Sequence, residues 1–234
     1  MNNTEILASV SRAVSDATFA KRSKAIMLGI ITDAQNHIID KTECLRQIDS
    51  TSITLVASDG DYAMPSTFVK FPSEGADVKR GFVAAGTNAK FPLTFIPLTV
   101  LNNQYPGWRA TSAGTPEFYS LIEAGTPQLI VYPAPSAAWI TANGSAFYMD
   151  IIYKPATALA EDTNLPFDNA YRFSGLLQKL LKLMAIWQIK LEDMQFNDET
   201  RLDRHVDKMM EEAIDFVRST SASPGTHGFE EVRG

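Results

Sequence analysis

Asp33, His37, Asp40 and Cys44 are the strongest grouping of chemistry-bearing side chains in the sequence. Steps of four, three and four residues put them near one face of a helix, and carboxylate, imidazole and thiolate are all legitimate metal ligands. A straight helix cannot wrap such ligands tetrahedrally around one ion, so the same residues read as a polar face opposite an apolar stripe. His205 stands between Arg204 and Asp207, and no acid, base or nucleophile elsewhere in the sequence is placed to converge on it. Glu211, Glu212 and Asp215 form an acidic run, either a solvated helix face or a patch that repels DNA or pairs with a partner's basic surface. Tyr105, Trp108, Phe118, Tyr119, Tyr132 and Trp139 gather in the middle of the chain. Core packing accounts for most of them, with a ligand groove as the alternative. The glycine-rich phosphate loops, the H-E-x-x-H zinc motif and the G-x-S-x-G nucleophile elbow are all missing. The expectation is a protein with no catalytic residue, no metal and no cofactor.

Composition narrows the class. The chain has 234 residues, 45% of them hydrophobic and 21% charged, as in ordinary globular proteins. A formal net charge of −6 argues against a protein that grips nucleic acid or a basic membrane-surface protein. The single cysteine, Cys44, leaves no intrachain disulfide and fits a reducing compartment. The opening "MNNTEILASVSRAVSDATF" has neither a basic start nor a continuous apolar run, so no signal peptide is expected. Lys179, Lys182 and Lys190 interrupt the most apolar helical stretch, which argues against a membrane span. A soluble intracellular protein is expected.

Periodicity places these residues on elements. Ile6, Leu7, Val10 and Val14 recur at helical spacing, and a second helix over about Lys21–Leu45 carries the stripe Ile26/Met27, Ile30/Ile31, Ala34 and Ile38. From Asp49 to about Pro155 the texture changes to short β-branched and aromatic runs between Gly and Pro. Strands are expected near Ser52–Val56, Thr67–Phe71, Leu93–Leu98, Phe118–Ile122, Gln128–Tyr132 and Ser145–Tyr153. "ASDGDY" and "APSAAWITANGS" read as turns or loops, and "TVLNNQYPGWRAT" as a short helix or turn. Helical spacing then returns in Phe173, Leu176, Leu177, Leu180, Met184, Trp187, Leu191 and Met194. A final helix carries Leu202, Val206, Met209, Met210, Ala213, Phe216 and Val217 on one face. The expected fold is α+β. Residues 1–48 and 156–218 form one helical bundle, because neither helix pair covers its apolar face alone. Residues 49–155 form an inserted small antiparallel β module, and residues 219–234 a tail that orders only in an assembly.

The order of motifs in that middle region resembles the head–tail adaptor (connector) proteins of tailed bacteriophages. "DGDYAMPSTFVKF" is similar to the segment that opens their β module, with Tyr62, Pro65 and Phe68 in the matching positions. "YPGWRATSAGTPEFYSL" and "QLIVYPAPS" resemble the segments that follow, carrying Trp108, Gly114, Pro116, Tyr132, Pro133 and Pro135. A strand like "FYMDIIYKPATAL", a long helix ending in an acidic pair like Glu192-Asp193, and a charged final helix complete a resemblance that runs from about Glu5 to Ser219.

The resemblance implies a structural virion protein at the neck, made in the host cytoplasm and acting without catalysis. Such adaptors form a ring, usually of twelve copies, beneath the portal protein. The ring extends the DNA channel, which DNA crosses without specific binding, and offers a docking surface to tail or nozzle proteins; no membrane is involved. The family's chain end often reaches the portal, and Phe229, Glu230, Val232 and Arg233 are the residues assigned here to portal or neighbour binding. The alternatives are another neck or tail part, such as a stopper or tail terminator, and, further off, a small-molecule-binding module or enzyme.

Overall fold

A computed structural model describes residues 3–72, 81–85, 89–122, 126–155, 174–193 and 199–221. Their packing divides into two compact units, one within Met1–Cys44 and Thr157–Gly234, the other within Leu45–Ala156.

In the first unit, α1 (Asn3–Ala13), α2 (Lys24–Thr42), α5 (Ser174–Glu192) and α6 (Glu199–Ser221) pack on one another, with α5 touching the other three. Ser23 caps α2, its side chain accepting from the Ile26 amide at 3.3 Å, which satisfies an N–H that the helix start leaves without a partner. Glu43, in the left-handed region at φ 56°, ends the helix while its own amide still bonds the Ile39 carbonyl. The buried stripe of α2 is Met27, Ile30, Ile31, Ala34, Ile38 and Ile39. Against the expectation, Ile26 points out and is 54% exposed. On α5, Leu177, Leu180 and Met184 are buried, whereas Trp187 is half-buried.

Among the described residues, the second unit is a sheet of eight strands: β1 (Arg46–Thr54), β2 (Asp61–Ala63), β3 (Phe68–Lys70), β4 (Gly81–Ala85), β5 (Ala89–Phe95), β6 (Phe118–Ile122), β7 (Gln128–Tyr132) and β8 (Ala146–Tyr153). The order is β1-β8-β4-β5-β6-β7-β2, with β3 also pairing β8. All pairings are antiparallel except β5 with β6, which is parallel over Thr94↔Phe118 and Phe95↔Tyr119. A parallel neighbour cannot be reached by a tight turn. Here residues 96–117 make the crossover through α3 (Leu98–Gln104) and a 3₁₀ turn (Trp108–Ala110).

This sheet overturns the expected bundle with a small antiparallel module. The sheet is large and mixed, and it carries its own core: Ile53, Tyr62, Val83, Leu93, Tyr119, Leu121, Val131, Phe147, Met149 and Ile151 form one buried cluster. Alternate residues along each strand enter that cluster, as a period of two requires. Tyr119 sits at its centre, edge-on to Phe71, Phe95 and Phe147 at centroid distances of 6.3, 5.4 and 5.4 Å. Three elements escaped the sequence reading. β2 begins inside "ASDGDY", which reads as a turn or loop. β4 is a short Gly- and Ala-containing run, and "APSAAWITANGS" holds a helix, α4 (Ala137–Asn143), capped by the Ser136 side chain through the Trp139 amide at 3.2 Å.

Candidate assembly surface

The strands bring together three stretches that lie far apart in the chain. Tyr62 projects into the sheet core from β2 and is 7% exposed. Its hydroxyl accepts from the Val56 amide at 3.2 Å and donates to the Asp59 carbonyl, so one side chain holds the whole 56–61 turn. Burial pushes the Tyr62 phenol up to about 12. Gly60 lies where a Cβ would come within 3.1 Å of the Val131 carbonyl, so only glycine lets this turn lie against β7 without a shift. The Gly60 carbonyl accepts from the Val131 amide at 2.8 Å.

The third stretch closes the other side. The Ser58 amide donates to the Pro135 carbonyl at 2.8 Å, the Gly114 amide to the Ala134 carbonyl at 2.8 Å, and the Ser136 amide to the Gly114 carbonyl at 2.8 Å. Pro116 and Pro135 are buried, and the Tyr132–Pro133 peptide is cis. Tyr132 is half-buried beside Tyr105, ring centroids 5.1 Å apart, and edge-on to Trp108 at 6.5 Å. Trp108 donates its indole N–H to the Asn102 Oδ1 at 2.8 Å. The Arg109 guanidinium lies 4.3 Å from the Trp108 ring centre and pairs with the Asp61 carboxylate at 2.7 Å. Between these groups lies a cavity of about 300 Å³, lined by Asp59, Asp61, Trp108, Arg109 and Tyr132 among others.

Of the motif residues singled out in the sequence, Gly114, Tyr132, Pro133 and Pro135 therefore meet at one end of the sheet, with Trp108 beside Tyr132 and Tyr62 holding the adjoining turn. Pro65 and Phe68 do not line the cavity. Pro65 turns the chain, its carbonyl accepting from the Phe68 amide at 2.9 Å, and Phe68 packs edge-on to Phe71 at 5.7 Å. Asp61, Asn102 and Gly60 were missed. Asp61 and Arg109 are 48 residues apart, and no local pattern announces such a pair. Phe229, Glu230, Val232 and Arg233 lie outside the described residues.

In the helical unit the acidic pair at the end of α5 has a definite partner. Arg22 donates to Asp193 through Nη1 at 3.2 Å and Nη2 at 2.7 Å, and to Glu192 through Nη2 at 3.4 Å. These bonds hold the Asp193 carboxyl below its ordinary range and raise the guanidinium. The candidate ligands of α2 do not converge. Asp33 and His37 are exposed, while Cys44 lies past the Glu43 helix end and is buried. Among the described residues, no three His, Cys, Asp or Glu side chains gather where they could hold a metal. None of the described helices is long and apolar enough to cross a membrane.

Both units are held by bonds between distant parts of the chain, the first by Arg22 and Asp193, the second by the cross-bonded rim of its sheet. The family model described as SU10 adaptor protein matches residues 1–227, and the chain belongs to that family. It is thus a bacteriophage adaptor, a virion component that works with other head and tail parts. No curated protein matches the chain.

Proposed function

We propose that this adaptor assembles as a ring, of twelve copies in the manner its motifs imply, which docks beneath the portal, continues the DNA channel and receives the tail. The observation that carries this reading is the convergence of the 56–61, 107–116 and 131–136 stretches into one cross-bonded rim of the sheet. Such a rim presents a fixed shape at low entropic cost, which a docking surface needs and a passive linker does not. The net charge of −6 suits a channel that DNA must cross without being held. On this reading the protein has no catalytic step. Phe229 and Val232 would anchor the chain end in a groove of the portal or a neighbour, with Glu230 and Arg233 at its rim.

The test is cryo-EM of the purified protein mixed with its portal protein. A ring seated on the portal, coaxial with its channel, is expected. A protein that leaves the portal bare and binds instead to the end of the tail tube would overturn the reading in favour of a tail terminator. Deleting residues 220–234 tests the anchor separately: undiminished portal affinity would remove the tail from the interface.

A further inference from the structure

The cavity of about 300 Å³ at the sheet rim is at the small end of ligand clefts, which run from about 300 to 1,000 Å³. It has room for one long side chain but not for a helix, which is about 10–12 Å across. Its charged walls are Asp59, Asp61 and Arg109, two carboxylates against one guanidinium. Asp59 uses Oδ1 to accept the Asp61 amide at 3.1 Å, and Asp61 uses Oδ2 to accept Arg109 Nη1 at 2.7 Å. Among the described residues, no group donates to Asp59 Oδ2 or Asp61 Oδ1. Burial is the main cause of the raised Tyr62 phenol, but both carboxylates add to it, so their charges act together at this turn.

The fold gains little from this arrangement. The Asp61 and Arg109 side chains are 42% and 55% exposed, and an ion pair in that setting adds little stability. Yet the groups are held in place: the Tyr62 hydroxyl bonds the turn that carries Asp59, and Arg109 lies 4.3 Å from the Trp108 ring centre. Well-placed, partly exposed Trp, Tyr and Arg side chains are the types that dominate binding hot spots. Val56 adds an apolar shoulder to the same turn. It is 56% exposed, more than any other large hydrophobic residue described, and its carbonyl accepts the Asp59 amide at 3.2 Å.

The excess carboxylate selects a cation and repels phosphate or carboxylate groups. Among cations a guanidinium fits these walls best. It is planar, offers its donors as a fork and stacks on aromatic rings, whereas an ammonium is a strongly hydrated point charge. We propose that the cavity receives an arginine side chain of the protein that docks on this rim. Its guanidinium donates to Asp59 Oδ2 and Asp61 Oδ1, its stem lies along Trp108 and Tyr132, and Val56 packs an apolar neighbour of that arginine. The proposal rests on the docking-rim reading above and adds the chemistry of the partner's contact.

Two measurements on the full-length protein test it. The first titrates argininamide, spermidine and inorganic phosphate while following tryptophan fluorescence, with Trp108→Phe as the blank. Argininamide should change the Trp108 signal, phosphate should not, and Asp59→Asn should abolish the response. Asparagine keeps an oxygen for the Asp61 amide, so the turn is retained, and an unchanged melting temperature checks this. A response to spermidine alone would assign the cavity to free polyamines and overturn the proposal, as would no response to argininamide. The second measures affinity for the portal protein. Asp59→Lys should weaken it about tenfold or more, a loss worth about 1.4 kcal/mol, and wild-type binding should fall as salt rises. Portal bound by Asp59→Lys with wild-type affinity would exclude the arginine contact while the docking reading stands. A wild type that takes up argininamide but never binds portal protein would overturn the docking reading and leave a guanidinium site.

Discussion

Arg22 and Asp193 face each other in a two-pronged bond, Nη2 to Oδ1 at 2.7 Å and Nη1 to Oδ2 at 3.2 Å, with the arginine side chain only 13% exposed. The pair ties the α1–α2 connection to the end of α5 across 171 residues of sequence. Arg22→Met keeps the aliphatic stem and removes the fork. It should lower unfolding free energy by about 1.5–3 kcal/mol, the worth of hydrogen bonds to a charged group. Urea denaturation with an unchanged slope is the measurement; a loss within error of wild type would contradict the clamp.

Acid should loosen the same region. Asp16 accepts the Lys21 and Arg22 amides at 3.0 and 2.9 Å, and these bonds, the Lys21 amide first, hold its carboxyl below the ordinary value. Asp193 is lowered by its bonds to Arg22. A carboxyl depressed in the folded state contributes stability that is present above its unfolded value, about 4, and lost as pH falls through the folded one. Melting temperature should therefore drop below pH about 4, and Asp16→Asn should flatten that limb. An Asp16→Asn variant with the wild-type acid profile would count against it.

The alkaline side has the opposite sign. Burial raises the phenols of Tyr62, to about 12, and of Tyr119. Their stabilising effect is complete below the unfolded tyrosine value of about 10 and is lost as pH rises through the folded values. Ultraviolet titration of the seven tyrosines should show a late-ionising fraction that disappears in urea.

Gly81 offers a steric test of the sheet core. A Cβ there would stand 2.7 Å from both the Phe147 and Tyr119 rings, and both are buried. Gly81→Ala should destabilise by about 1–3 kcal/mol, the usual cost of overpacking, whereas Gly29→Ala, which meets nothing, should stabilise the isolated chain. Equal melting shifts for the two would refute the placement of β4.

Leu180 is fully buried at the centre of α5. Leu180→Ala should cost about 2–5 kcal/mol, against a negligible change for Lys179→Ala on the exposed face.

The amphipathic helices were readable because each has a long stripe at a period of 3.6, and the β6–β7 hairpin because two β-rich runs flank turn residues. What escaped was non-local or disguised. Pro92 sits inside β5, opposite Phe82, and proline normally demotes a strand, so the reading began this strand at Leu93 rather than Ala89. β1 starts with the polar run Arg46, Gln47 and was expected only from Ser52. The parallel β5–β6 pairing depends on a crossover whose path no short window encodes. At the candidate surface, the family-like motif residues were legible by type, but the Asp61–Arg109 pair and the role of Gly60 emerged only from the packing.

The parallel contact has a mechanical meaning. In strand pairing it joins two antiparallel halves, β1-β8-β4-β5 on one side and β6-β7-β2 on the other, through two residue pairs. The ladders to either side, β4 with β5 and β6 with β7, each have five. A load applied across the strands meets a short backbone ladder at that seam, and the shared core must carry the rest. Tyr119 is the rivet. It belongs to one half and wedges its ring against Phe95 and Phe147 of the other, so side-chain packing reinforces the seam where the backbone pairing is short.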